Sequence, residues 1–390
     1  MKESLNYNRE ERNIPLFKIY WDEDDVNMPN HVIRSGVYWT VGAETATFEK
    51  MISEYIGTKH CLVYNSGTSA LHAALAAHNV GAGDEVIVPS FTFIATVNSV
   101  LFVGATPVFA DIEEKTYGLD PSDVERKITS KTKAIIPVHY GGCACRIEDL
   151  RALAKAHNLL LIEDAAEAMG AMVGNKKIGT FGQSAILSFC QNKIITTGEG
   201  GAVVTDSDEI YEKLKLFRSH GRLETGNYFA TSEYMDYVSL GYNFRLPSIL
   251  AALGIAQIKK IEAIIKLRRQ NAEYYEKSLS KIERVVIPKV PDDYFQVYQM
   301  FNVRITGKLE TRDKLMAYLG EHGVASRVHF YPVHLTKFYR DKFGHKPGEL
   351  PTTEKISKQI ITLPMYPDLN KEDINYIVSQ ISAFFNNVRE

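Results

Sequence analysis

Between residues 60 and 205 the chain alternates short, unbroken apolar runs with stretches whose apolar residues recur at helical spacing. The runs are "CLVYN" (61–65), "EVIVPS" (85–90), "TPVFAD" (106–111), "AIIPVH" (134–139), "LLLIED" (159–164), "AILSF" (185–189) and "GAVVT" (201–205). They are continuous rather than alternating, the pattern of strands buried on both faces. Between them "TSALHAALAAHNV" and "IEDLRALAKAHN" read as helices, and Ser122 and Glu125 have capping-box spacing around the start of a helix at "VERKI". Strand–helix alternation of this kind predicts an α/β fold around an open, mostly parallel central sheet. Near residue 250 the texture changes. "LAALGIAQIKKIEAIIKLRRQNAEYYEKSLSKI" reads as one long amphipathic helix or two joined ones, followed by "YQMFNVRI", a helix at "TRDKLMAYLGEHG" and a last helix at "KEDINYIVSQISAFFNNV". Residues 1–250 are therefore read as a large domain and 251–390 as a smaller α+β C-terminal domain.

One stretch invites a different reading. "VIVPSFTFIATVNSVLFVGATPVFA" (86–110) carries no charge and is long enough to cross a bilayer. Its Pro89, Ser90, Thr92, Asn98, Gly104 and Pro107 instead punctuate it as strand, loop, buried helix, turn and strand. Composition agrees: 45% hydrophobic and 24% charged residues suit a soluble globular chain with a large core. A net charge of −2 with scattered basic residues favours neither nucleic acid nor an anionic membrane as partner. The four cysteines, Cys61, Cys143, Cys145 and Cys190, have neither zinc-site nor disulfide-ladder spacing, and no metal is expected. The polar start "MKESLNYNREERN" lacks the apolar core of a signal peptide, so a cytoplasmic location is expected.

Candidate chemistry falls at the carboxyl ends of the expected strands, where open parallel sheets bind ligands. In "YNSGTSALHAAL" (64–75), Gly67, Thr68 and Ser69 would bring N–H groups and hydroxyls to a helix N-terminus. That suits a phosphate, although plain capping uses the same residues. Glu163 and Asp164 close an apolar strand, where a carboxylate is costly unless partnered. They could serve a metal, a base, a buried cation or a helix cap. Lys193 in "SFCQNKIITTGEGG" (188–201) lies among apolar and small residues, the setting of a reactive amine, though most lysines are solvated. One ligand meets all three: pyridoxal 5′-phosphate (PLP), with phosphate on the helix, aldehyde on Lys193 and ring nitrogen on Asp164. Phe93 of "PSFTFIAT" could stack on its ring. A dinucleotide fits worse, because "GAGDEV" precedes a strand and lacks the third glycine. His329 and His334 of "VHFYPVH" have no evident third metal ligand and read better as part of a substrate loop.

Taken together, "NSGTSALHAAL", "DEVIVPSFTFIATVNSV", "GATPVFADI", "IIPVHYGG", "LIEDAAEAMGA", "SFCQNKIITTGEGG" and "GYNFRL" resemble the nucleotide-sugar aminotransferases, nearly end to end and in order. The resemblance implies a fold-type I, aspartate-aminotransferase-like PLP enzyme. "EDAAEAMGA" and "NKIITTGEGG" are most similar to the perosamine-synthase-like 4-aminotransferase branch. By this resemblance Lys193 is the Schiff-base lysine and Asp164 the partner of the pyridine nitrogen. Thr68, Ser69 and Ser188 hold the phosphate, Phe93 stacks on the ring, and Glu167 lies near the 3′-oxygen at a position often Gln or His. Asn243 reaches the phosphate from the other subunit, which implies a homodimer with shared active sites. L-glutamate would be the donor and a keto-sugar nucleotide the acceptor, in surface-polysaccharide amino-sugar biosynthesis. Sister sugar 3-dehydratases carry histidine in place of the lysine, so Lys193 argues for transamination. Cys190 departs from relatives that have histidine there. Substrate contacts are expected from Trp39 and Thr40, and from Arg327, His329 and His334. His220 and Arg222 could serve the sugar diphosphate or only their loop, and Trp39 and Tyr331 could equally be core or dimer-interface residues.

Overall fold

The computed structural model describes residues 12–223, 231–232, 234–308 and 310–387. Helices α1 (Glu23–Ser35) and α2 (Ala43–Ile56) precede strand β1 (His60–Tyr64). The alternation then runs α3 (Gly67–Ala77), β2 (Glu85–Pro89), α4 (Ile94–Phe102), β3 (Thr106–Ala110), α5 (Pro121–Lys127), β4 (Thr132–Ile135), α6 (Ile147–Ala156) and β5 (Leu160–Asp164). A short hairpin, β6 (Met172–Val173) and β7 (Lys176–Lys177), leads to β8 (Ser184–Ser188), β9 (Gly201–Thr205) and α7 (Asp208–Arg218).

All seven apolar runs become strands of one sheet, in the order β1-β9-β8-β5-β4-β2-β3. Only β9 is antiparallel to its neighbours; the other pairings are parallel. Both faces are covered, which is why the runs are unbroken. Leu62, Val86, Val88, Ile162, Ile186 and Val203 face α3, α4 and α7. Val63, Ile87, Ile135, Leu161, Ala185 and Val204 face α2, α6 and the helices that follow the sheet. The uncharged stretch 86–110 resolves into β2, α4 and β3, and among the described residues no helix is long and apolar enough to cross a membrane. The expected cap of α5 is corrected: Asp120 is the N-cap and accepts from Ser122 N, with Pro121 opening the helix.

The long amphipathic segment is two helices, α8 (Ser248–Lys259) and α9 (Ile261–Leu279), meeting at Lys260. Then come β10 (Val285–Val286), β11 (Tyr294–Phe295), β12 (Phe301–Ile305), α10 (Thr311–Glu321), α11 (Lys337–Phe343), α12 (Pro351–Gln359), β13 (Ile360–Leu363) and α13 (Lys371–Asn387). The texture changes at residue 250, but the packing changes later. Ala251, Ile255, Ile258, Ile261, Ile264 and Ile265 belong to the large-domain core. Ala272, Tyr275 and Leu279 belong to a second core with the β10-β12-β13 sheet, α10 and α13. The changeover therefore lies within α9, near Arg268. Ile14 pairs with Val324, so the described start of the chain also joins the second core.

Candidate active site

Consecutive residues of a strand point to opposite faces, and β5 ends with two carboxylates that this rule separates. Glu163 is fully buried and saturated. Its oxygens accept from the N–H groups of Gly179 (2.9 Å), Phe181 (2.7 Å) and Gly182 (2.8 Å) and from His139 Nε2 (3.1 Å). Burial pulls its pKa up, but His139 and the backbone donors outweigh burial and leave it lowered. The Cys145 N–H donates to His139 Nδ1, which leaves Nε2 as the protonated nitrogen. Glu163 thus fastens the 179–182 loop and is not available for chemistry.

Asp164 turns the other way. Thr96 Oγ1 donates to its Oδ2 (2.7 Å) and Ala166 N to its Oδ1 (3.2 Å), and Thr92 pairs with Thr96 (2.9 Å). Burial dominates here and raises the Asp164 pKa; nearby Glu167 adds to the rise and Lys193 opposes it. A buried carboxylate with so little positive charge beside it is suited to a cationic partner.

Lys193 lies on the loop 189–200 between β8 and β9. Its Nζ is 3.4 Å from Glu167 Oε1, with side chains 15% and 9% exposed. Glu167 is held in turn by Gly141 N, which donates to its Oε2 at 2.9 Å. The loop is gripped at both ends: Gln299 Nε2 donates to the Asn192 carbonyl, and Thr196 N donates to Gln257 Oε1 at 3.4 Å. Neither glutamine stands in a motif, and sequence reading missed both. It also missed Thr96, although Thr92 and Thr96 have one-turn spacing just after a strand.

The N-terminus of α3 stands at the same edge of the sheet. Ser66 caps it, accepting from Ser69 N at 3.1 Å. A Cβ at Gly67 would lie 3.0 Å from Ser188 Cβ, so glycine lets the helix start come close to the end of β8 without crowding. Thr68, Ser69 and Ser188 thereby share one edge. This cradle suits a phosphate, Asp164 a protonated ring nitrogen and Lys193 an aldehyde, so the residues present fit PLP. Phe93 caps α4 and is 60% exposed, its ring 6.3 Å from that of Phe330.

The expected substrate residues fare unequally. His329 joins the site: Tyr140 Oη donates to its carbonyl, and burial lowers its pKa to about 4, with Glu167, Arg327 and Lys193 close enough to be felt. Arg327 is exposed and its backbone pairs with Thr362 on β13. His334 is a correction. It is fully buried, its Nδ1 paired with Ser90 Oγ (2.7 Å) and its Nε2 with Glu354 (3.4 Å), so both nitrogens are spent inside the protein. Trp39 and Thr40 lie exposed in the α1–α2 connection and make no hydrogen bond to the Lys193 site among the described residues. His220 and Asn243 are exposed; the His220 N–H donates to the Tyr242 carbonyl, and Asn243 bridges Ser219 through its backbone. Arg222 is buried and Tyr331 is 64% exposed.

Known proteins resemble the chain along nearly its whole length. The pattern of the DegT/DnrJ/EryC1/StrS aminotransferase family matches residues 20–382. The chain is 37% identical over 374 residues to the GDP-perosamine synthase of Vibrio cholerae, covering 96% of this chain and 99% of that protein. It superposes with a TM-score of 0.90 on Helicobacter pylori PseC, an aminotransferase involved in pseudoaminic acid biosynthesis, at 32% identity over 96% of this chain and all of that one. The PLP form of a sugar aminotransferase described as putative, Spr1654 of Streptococcus pneumoniae, superposes at 0.89 with 28% identity, over 97% of this chain and all of that one. Matched along nearly its whole length, this protein is a member of the DegT/DnrJ/EryC1/StrS aminotransferase family, a PLP-dependent sugar aminotransferase.

Proposed function

We propose that Lys193 attaches the cofactor and moves the proton during transfer, that L-glutamate is the donor, and that the acceptor is a GDP-linked 4-keto-6-deoxy sugar. The observation that carries this reading is the enclosed Lys193 ammonium, 3.4 Å from Glu167 and within the field of buried Asp164. When bound, PLP supplies an aldehyde for covalent attachment and a pyridine ring that draws electrons from the reacting carbon. Asp164 holds a proton on the ring nitrogen. The first turn of α3, with the hydroxyls of Thr68, Ser69 and Ser188, takes the phosphate charge. Phe93 would cover one ring face and Glu167 would lie near the 3′-oxygen. Lys193 Nζ would take the proton from the donor Cα. The amino group leaves L-glutamate as 2-oxoglutarate departs, and passes to the keto carbon of the sugar. His329 and Arg327 border the acceptor.

The acceptor rests on the likeness to GDP-perosamine synthases. Trp21, Val37, Tyr38 and Trp39, with Leu223, Tyr237, Val238 and Leu240, are all at least 45% exposed. They suit burial against a second copy, whose Asn243 would complete the phosphate cradle. The test is visible absorbance of the protein with PLP. L-glutamate should bleach the band and a GDP-4-keto-6-deoxyhexose should restore it. Restoration only by UDP- or dTDP-linked keto sugars would change the nucleotide. No band, or full activity in Lys193→Ala, would overturn the reading.

A further inference from the structure

Segment 297–300 touches the Lys193 loop and the 141–142 turn, which holds Glu167. Val297 N donates to the Gly142 carbonyl at 2.9 Å, and Met300 N to the Gly141 carbonyl at 3.3 Å. Gly141 N holds Glu167. From the same segment, Gln299 Nε2 donates to the carbonyl of Asn192, the residue before Lys193. The approach is as close as backbone permits: Gly142 has φ 90°, and a Cβ there would lie 2.6 Å from Gln299 N. Behind the segment, Arg268 Nη1 donates to the carbonyls of Tyr298 (3.1 Å), Gln299 (3.3 Å) and Met365 (3.3 Å). Arg268 thus holds Tyr298 and Gln299 from one side, while the segment holds the Lys193 loop and the 141–142 turn from the other.

Gln299 is 4% exposed, and its Oε1 has no hydrogen-bond partner among the described residues. A buried unpaired acceptor is unfavourable, and an apolar residue of similar size would avoid it. The compensating gain is the hold on Asn192. We infer that Gln299 is a positioning residue for the transfer reaction, which fixes Lys193 Nζ relative to Glu167 by tying both loops to one small-domain segment. This inference rests on the reading of Lys193 as the reacting amine. Without the Gln299 amide, the far end of the loop keeps Gln257, so the loop stays folded while the end nearest Lys193 shifts.

The experiment compares Gln299→Leu, Gln299→His and Lys193→Ala with the parent. It reads kcat, KM for L-glutamate, and amide hydrogen exchange of the cofactor-free protein. Gln299→Leu should lower kcat by about 10²-fold with KM changed less than about threefold, as expected when a reacting group is misplaced but the donor site is intact. Exchange should quicken in the 190–195 peptide and stay unchanged in β12 and β13. Gln299→His, which keeps a ring N–H donor, should recover most of the loss. The inference fails if Gln299→Leu keeps the parental kcat and loop exchange while Lys193→Ala is inactive. It fails equally if both Gln299 variants quicken exchange across the whole small domain, which would mark a purely structural residue. Activity in Lys193→Ala would instead remove the reading beneath it.

Discussion

Glu163 and Asp164 are neighbours on β5, yet they belong to two different regions. Behind the sheet, Glu163 meets three backbone N–H groups and His139, and its charge is fully satisfied. In front, Asp164 meets one hydroxyl and one N–H, and burial raises its pKa. The rear carboxylate stabilises the fold, while the front one is left wanting a cation. The difference shows how a strand end can carry structure and chemistry one residue apart, and every test below is a way to separate the two.

The largest effect belongs to the front. Lys193→Ala should lower kcat by at least about 10⁴-fold while thermal melting of the cofactor-free protein stays near the parent's. Asp164→Asn should cost about 10²–10⁴-fold in turnover. It should leave the cofactor-free protein at least as stable at neutral pH, because it removes a charge that burial disfavours. If Asp164→Asn unfolds the protein, the front carboxylate is structural and the contrast collapses. Glu163→Gln should do the reverse: a loss of about 3–5 kcal/mol in denaturant unfolding, with turnover per folded molecule within roughly tenfold of the parent.

The pH dependence sharpens the contrast, because the two shifts have opposite sign. Glu163, with a lowered folded pKa, contributes stability that is present above its unfolded value of about 4.3 and lost as pH falls through the folded value. Asp164, with a raised one, contributes stability that is present below about 3.9 and lost as pH rises through its folded value. Glu163→Gln should therefore flatten the acid side of the stability profile, and Asp164→Asn should remove a loss on the other side. The smallest effect is expected at the open edge. Phe93→Leu should weaken PLP binding about three- to tenfold, the size of one aromatic contact, as measured by cofactor titration.

Much of the large domain was legible because doubly buried strands leave unbroken apolar runs, and all seven became strands of one sheet. Sequence texture changes at residue 250, ahead of the change in packing, because α8 begins the helical stretch yet packs on α1 and α2 in the large core. The α5 cap was misplaced because Asp120 and Pro121 form a stronger start than Ser122 does. Lys193 and Asp164 announced themselves as polar groups in apolar company. His334 did too, but an imidazole closed between Ser90 and Glu354 looks the same in one dimension as one facing substrate. Gln257 and Gln299 gave no signal, because each grips a loop distant in the chain through a backbone atom.

The antiparallel strand β9 has a consequence for how the enzyme comes into being. Because β9 runs back beside β8, the loop bearing Lys193 closes locally as a hairpin, with Ser188 opposite Gly201. The helix start opposite it depends on β1, which joins the sheet only by pairing with β9 across much of the domain's length. Lys193 and the start of α3 are therefore assembled by contacts of very different sequence separation, the local one forming more readily. A cofactor that needs both would therefore bind only the finished sheet. Chains that complete the sheet are stabilised by the cofactor through mass action, and those that stop at the hairpin gain nothing from it.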